Sequence, residues 1–275
     1  MLGAQLAQMY GPWTLGKCIY DARGNKIYEA TSSTLESTEK WLVKVMPNDD
    51  TQELSTLLAL KAELTPLNMV QIPDSAYHQF GMNPTSVWFA MKHYAGPLTK
   101  AHQKQWKQVA VACLDFICDL HKNHHRIYMD WRPENVLVDE NGGFAVADYE
   151  SITTITRTKT RNAPFDCRWY YMYRGAEPDQ WLYSWKMDLT GIAYMLIRLT
   201  TDGGSDICRE FLEYRAREKK THSSMRYLAK KRNDIMYGFA NPTLKCFLDI
   251  IKPLKWNSQN PPLYSIYDSL KALFI

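Results

Sequence analysis

The sequence predicts an α+β protein with two lobes, a small strand-rich N-terminal lobe followed by a larger helical lobe. Up to about residue 90, apolar residues form short runs separated by turn residues, which is typical of strands. From Gln103 onwards they recur at three- and four-residue steps, which is typical of amphipathic helices. This change of period gives lobes of residues 1–95 and 96–275, with the boundary near Gly96.

Four segments make up the predicted N-terminal lobe. Trp13 to Ala30 contains two apolar runs around a turn rich in Asp, Gly and Asn, which indicates a hairpin. Trp41 to Met46 is a short apolar strand that carries one lysine, Lys44. Asp49 to Leu64 has leucines on one face and acidic residues at its start, which predicts a helix. Val87 to Met91 is a further apolar strand.

The C-terminal lobe is predicted to contain four helices. Gln103 to Lys122 is amphipathic, and Met187 to Leu199 is almost entirely apolar, so the second of these helices is expected at the centre of the lobe. Leu244 to Leu254 and Tyr264 to Phe274 show helical spacing as well. No internal repeat or flexible linker interrupts this order.

Composition narrows the class of protein. The chain has 275 residues, 45% of them hydrophobic and 23% charged, which fits a folded domain and not a disordered one. The net charge of +4 is compatible with a nucleotide or an acidic partner and does not require nucleic acid. The six cysteines show no CxxC spacing, so reduced thiols are expected. We expect an intracellular protein, cytoplasmic or nuclear, because neither a signal peptide nor a membrane span is recognisable.

The segment from residue 124 to 151 carries the chemistry. Asp130 is followed by Asn135, a strand from Val136 to Val138, an Asn-Gly-Gly turn, a strand from Phe144 to Ala147, and Asp148. A hairpin between these strands brings Asn135 and Asp148 to the same end. Carboxylate and amide oxygens suit Mg²⁺, so this end of the hairpin is a predicted magnesium site.

Two further residues complete the predicted set. Asp130 precedes the hairpin and is suited to orient or deprotonate a hydroxyl, whereas Lys44 is suited to neutralise phosphate. A single Asp in a turn is usually a cap or a surface charge. The prediction therefore depends on the ordered combination of Lys, Asp, Asn and Asp.

These residues resemble the motifs of the protein kinases. The catalytic-loop and metal-binding motifs of that family correspond here to Tyr128-Met129-Asp130 with Asn135, and to Asp148-Tyr149-Glu150. Lys44 falls in the place of the strand lysine. The resemblance covers nearly the whole chain and implies a bilobal kinase fold.

Two other segments resemble the casein-kinase and vaccinia-related-kinase branch. Trp185 to Leu189, followed by Gly191, is similar to its central-helix signature, in which the aspartate, here Asp188, braces the catalytic loop. Pro261 to Phe274 is similar to the closing helix of that branch. The loss of glycines from the family motifs resembles viral members of the same branch.

The resemblance implies an ATP- and Mg²⁺-dependent Ser/Thr-type protein kinase. Asn135 and Asp148 would hold Mg²⁺, Asp130 would orient the hydroxyl, and Arg132 would help Lys44 to neutralise the transferring phosphate. Further candidates for nucleotide binding lie on the predicted helix and around the end of the last N-terminal strand: Glu53, Met91 and Tyr94.

Departures from the family pattern leave a second function open. The three glycines that would cradle phosphate are replaced by Tyr20, Ala22 and Asn25, and a tyrosine at the first position can cover or fill the nucleotide site. Glu53 is one turn from the position of the usual partner of Lys44, and Glu150 adds negative charge beside the metal site. The alternative is a pseudokinase that regulates a partner. A small-molecule phosphotransferase shares the Asp/Asn/Asp pattern but lacks the helix signatures.

Expected partners are a protein substrate or a partner kinase. The basic run from Arg215 to Arg232 is suited to an acidic partner or, more simply, forms a solvated helix face. Threonines between Thr153 and Thr160 are either phosphorylation sites or a polar β-branched loop.

Overall fold

The fold is α+β, as the sequence predicts. The computed structural model describes residues 10–22, 24–33, 40–47, 86–138, 142–154, 184–201, 234–255 and 260–275. Four antiparallel strands form a sheet in the order β1-β2-β3-β4. Their bounds are Trp13–Ala22, Asn25–Ser32, Trp41–Pro47 and Ser86–Lys92.

The predicted hairpin at the start of the chain is confirmed. β1 pairs with β2 from Trp13 opposite Ser32 to Ala22 opposite Asn25, with irregularities in the register between Leu15 and Tyr20. Gly24 lies in the turn with φ of 84°, a left-handed conformation that glycine adopts without strain.

The two faces of the sheet join different hydrophobic clusters because side chains alternate along each strand. Val43 and Val45 of β3 belong to a small cluster with Trp13 and Trp88. Leu42 and Met46, on the opposite face, belong to the main core together with buried residues of the helices.

The second half of the structure is mainly helical. A 3-10 segment, Lys100–Gln105, leads into the long helix α1, Trp106–Asn123, and helices α2 Trp185–Thr200, α3 Pro242–Ile251 and α4 Tyr264–Ala272 follow along the chain. Residues 234–239 are helical as well. Helix α2 lies at the centre, as its apolar composition predicts: nearly all of its residues are buried. It packs against α1 and α3, and α1 packs against α4. None of the helices described is both long enough and apolar enough to cross a bilayer.

Side chains from other segments satisfy the C-terminal carbonyls of two helices. Lys100 donates to the carbonyls of Leu199 and Thr201 at the end of α2. Lys186 donates to the carbonyls of Lys252 and Leu254 just beyond α3, at 2.7 and 3.0 Å. Such contacts matter because the last carbonyls of a helix have no partner within it.

The second half also contains short paired strands. β5, Gly96–Pro97, pairs with β7, Val136–Val138, which pairs in turn with β8, Phe144–Val146. β6, Arg126–Ile127, pairs with β9, Thr153–Thr154. The pattern of apolar residues does not predict β6 or β9, since strands of two residues have no readable period.

Candidate active site

The β7–β8 hairpin brings Asn135 and Asp148 together, as the sequence predicts. Val136 pairs with Val146, and the N–H of Ala147 donates to the carbonyl of Asn135 at 2.8 Å. Asn135 ends a 3-10 turn, Pro133–Asn135, and Asp148 follows β8 directly. The hairpin register therefore fixes the separation of the two predicted metal ligands.

Asp188 holds the loop that carries Asp130. Its side chain is fully buried and accepts hydrogen bonds from the N–H of Tyr128 at 2.9 Å, the N–H of Met129 at 2.7 Å and the indole of Trp131 at 2.8 Å. Met129 has φ of 69°, a left-handed conformation that costs a non-glycine residue about 1–3 kcal/mol. The bonds to Asp188 hold the loop in this conformation, which confirms the predicted bracing role.

A histidine and a tyrosine support Asp188 from behind. His121 Nε2 lies 2.8 Å from Asp188 Oδ2, and His121 Nδ1 lies 2.6 Å from the hydroxyl of Tyr267. Burial raises the pKa of Tyr267 above its ordinary value, so the hydroxyl remains a donor. Both contacts are satisfied when Nε2 donates to Asp188 and Nδ1 accepts from the hydroxyl of Tyr267. The buried position of His121 on the apolar face of α1 was the only local signal of this role.

Gly191 makes room for Trp131. A Cβ atom at Gly191 would lie 2.7 Å from Trp131 Cδ1, closer than real Cβ contacts allow. Trp131 is fully buried, and its indole is bonded to Asp188, so the ring has little freedom to move. The glycine of the predicted helix signature thus lets α2 approach the loop.

Two tyrosines attach the loop and the metal-binding motif to the core. Tyr128 is fully buried and donates its hydroxyl to the carbonyl of Ala147. Tyr149 stacks on Phe116 and donates to the carbonyl of Val146 at 2.6 Å. Burial, reinforced by Asp148 and Asp130, raises the pKa of Tyr128 well above its ordinary value. Both residues preserve packing, as expected, and each adds a hydrogen bond next to Asp148.

Asn135 is oriented by Asp130. Its Nδ2 donates to the carboxylate Oδ2 of Asp130 at 2.8 Å and to the backbone carbonyl of Asp130 at 3.1 Å. Both side chains are buried, with 5% and 4% of Asn135 and Asp130 exposed. Because the amide nitrogen donates to Asp130, the amide oxygen Oδ1 is left to accept from a different group, the guanidinium of Arg132.

Arg132 lies at the centre of the site. Its Nε lies 3.0 Å from Asn135 Oδ1 and 3.1 Å from Asp130 Oδ2, and its Nη2 lies 3.1 Å from Asp148 Oδ2. Burial opposes the charge of Arg132, but Asp130 and Asp148 outweigh this effect and raise the pKa of the guanidinium. One cationic side chain thus contacts all three predicted oxygen-bearing residues.

The donor set fits a divalent cation. Two carboxylates and one amide oxygen converge on a positive charge, here that of Arg132, and these are the hard oxygen ligands that Mg²⁺ prefers. Asp148 itself has φ of 62°, a strained conformation of the kind that accumulates at functional sites. The residues that would hold the ion are Asn135 and Asp148.

Lys44 lies on the sheet face that contributes to the main core. It is half-buried on β3, between Leu42 and Met46 in the alternation, and pairs across the strands with Ile27. Ile27 pairs in turn with Tyr20, so the three side chains form a row across the sheet. Tyr20 keeps 51% of its surface exposed, so its ring is not buried in the protein interior. The approach of the Lys44 amine to Asp148 stays a prediction.

The two other nucleotide-binding candidates that are described lie near the same face. Met91 is buried opposite Leu42 in the main core, and Tyr94 is half-buried against that core. Glu53, the basic run 215–232 and Thr156, Thr158 and Thr160 lie outside the described residues, as does the side chain of Glu150.

The fold and this cluster are similar to those of protein kinases. Three curated relatives align with about half of this chain: CBL-interacting protein kinase 5 of Oryza sativa at 25% identity, CBL-interacting serine/threonine-protein kinase 20 of Arabidopsis thaliana at 23%, and CBL-interacting protein kinase 12 of Oryza sativa at 27%. The matched region spans 31%, 32% and 27% of these relatives. No protein-family model matches the chain. The similarities support a relationship with the protein kinase superfamily and the kinase-like bilobal α+β fold.

Proposed function

We propose that this protein is a diverged, ATP- and Mg²⁺-dependent Ser/Thr-type protein kinase. The observation that carries the proposal is the convergence of Asp130, Asn135 and Asp148 on one cationic point, on a loop held in place by Asp188. The serine/threonine kinases among its relatives support the same class of reaction.

Each residue has a defined task in this proposal. Bound magnesium nucleotide supplies the γ-phosphate. Asn135 and Asp148 hold the cation, and Asp130 orients the attacking hydroxyl and accepts its proton. Lys44 and Arg132 place positive charge where negative charge develops. Since phosphoryl transfer depends mainly on position and electrostatics, the rigidity of the loop is part of the catalytic apparatus.

Within the superfamily, we propose a place in the casein-kinase and vaccinia-related-kinase branch and a viral origin. The support is the Trp185–Leu189 signature and the closing segment from Pro261 to Phe274. We further propose that the protein acts in the cytoplasm or nucleus on a protein substrate or a partner kinase. The basic run 215–232 would dock an acidic partner.

The second candidate is a pseudokinase that regulates a partner. Two observations favour it. Arg132 occupies oxygens that a metal would need, and Tyr20 stands where kinases have the first glycine of the phosphate loop. A fold does not by itself specify an activity.

Phosphate transfer to casein and to the protein itself separates the two candidates. We expect Asp130→Asn to lower transfer by about 100-fold or more, because the residue that handles the hydroxyl proton is lost. Asp115→Asn is the matched control, since Asp115 lies on α1 in a partly exposed ion pair with Lys271. It should retain the wild-type rate.

Melting with and without ATP and Mg²⁺ completes the experiment, because a ligand that binds only the folded state raises Tm. A shift in Tm with no transfer above that of Asp130→Asn indicates a nucleotide-binding regulator. The absence of both contradicts the kinase proposal and favours the pseudokinase.

A further inference from the structure

Arg132 contacts the same oxygens that would bind a divalent cation. Its Nε lies 3.0 Å from Asn135 Oδ1, and its Nη2 lies 3.1 Å from Asp148 Oδ2. A guanidinium donates through these nitrogens and accepts nothing, so each contact occupies one of the two lone pairs of an oxygen that a metal would bind, and places a positive charge beside it.

The Arg132 side chain is fixed in position by its contacts. Arg132 donates hydrogen bonds to Asn135 and Asp148 and forms an ion pair with Asp130, and only 23% of its side chain is exposed. Its planar fork suits several acceptors at once, which an ammonium group does not match. The two carboxylates are therefore already neutralised in part without any metal.

We infer that Arg132 is a resident cation that competes with divalent metal for Asn135 and Asp148, so that metal alone binds weakly. This inference rests on the proposed function and describes how metal binding at the same site would be regulated. A triphosphate carries enough negative charge to attract the guanidinium away from the two oxygens. Metal and nucleotide are then expected to bind together and not one after the other.

Binding of Mn²⁺ to the full chain in the absence of nucleotide, followed by electron paramagnetic resonance, tests the inference. We expect Arg132→Met to bind Mn²⁺ about tenfold more tightly than the wild type, because a unit positive charge close to the metal ligands is removed. Asp148→Asn, introduced into Arg132→Met, should abolish the gain and so locate the ion.

Arg126→Met controls for net charge. Arg126 lies on β6, shortly before the loop, and its replacement removes one positive charge without removing the contacts to Asn135 and Asp148. We expect its affinity for Mn²⁺ to remain at the wild-type value. A gain as large as that of Arg132→Met would show a general effect of charge and would overturn the inference.

Arg132→Lys is a second variant for the same measurement, to be used if Arg132→Met does not fold. Lysine retains the charge but loses the fork, so we expect an affinity above that of the wild type. Equal affinity of the wild type and the folded Arg132 variants overturns the inference, and so does the absence of Mn²⁺ binding in all of them. Neither result depends on phosphate transfer, so failure of the inference and failure of the kinase proposal remain distinguishable.

Discussion

At the scale of single residues, Asp188 has the largest structural effect on the site. One buried carboxylate accepts from two backbone N–H groups, an indole and an imidazole. Asp188 thereby accepts from the donors of the loop that positions Asp130. Within this loop Met129 has a left-handed backbone conformation. A buried charge is tolerated here because its acceptor capacity is filled.

Replacement of Asp188 should therefore destabilise the whole protein. Asp188→Ala leaves four buried donors without an acceptor, and we expect a loss of about 3–5 kcal/mol in the free energy of unfolding, measured in urea. Asp115→Ala is the control: it removes a partly exposed ion pair with Lys271 and should cost less than about 1 kcal/mol. Equal losses for the two variants would show that the loop does not depend on Asp188.

At the scale of elements, the site is assembled from the β7–β8 hairpin and from the preceding loop, which helix α2 holds through Asp188. The hairpin fixes Asn135 and Asp148 through its register. Helix α2 supplies Asp188 and, one turn later, Gly191, whose lack of a side chain admits Trp131. Close packing of the helix and the loop determines the position of Asp130.

A single methyl group at this contact should disturb the loop. Gly191→Ala places a Cβ 2.7 Å from Trp131, and we expect a loss of stability of about 1–3 kcal/mol from overpacking, together with slower phosphate transfer. Gly238→Ala is the matched control, because nothing lies within 4 Å of its added Cβ and residues 234–239 are helical. It should be neutral or stabilise the protein by up to about 1 kcal/mol. If Gly191→Ala behaves like Gly238→Ala, the close approach is not required.

The sequence predicts these elements well where the signal is local. The hairpin before Asp148 and helices α1 and α2 follow from turn residues and apolar period, and the structure confirms them. Contacts between distant segments were not predicted from the pattern. His121 and Tyr267 are 146 residues apart, and no local period reports their hydrogen bond.

The conformation of the Arg132 side chain could not be predicted from the sequence either. Arg132 was predicted to neutralise the transferring phosphate, but its conformation between Asn135 and Asp148 depends on tertiary contacts. Asp188 was predicted to brace the loop only through its resemblance to a family signature. The four atoms that donate to it are a result of the structure.

At the scale of the whole molecule, one face of the N-terminal sheet and the helical half share a core. Leu42, Met46 and Met91 belong to the same hydrophobic cluster as the residues of α1 and α2. Lys44 lies on this face, and Asp148 lies at the end of the hairpin in the other half. We propose that the nucleotide binds between these two charged side chains.

A crystal structure with a non-hydrolysable ATP analogue and Mg²⁺ tests this claim most directly. We expect the triphosphate between the amine of Lys44 and the carboxylate of Asp148, with the guanidinium of Arg132 moved from Asn135 towards phosphate. An analogue bound elsewhere, or a Tyr20 ring that fills the cleft while the Lys44 amine points away from Asp148, would contradict it.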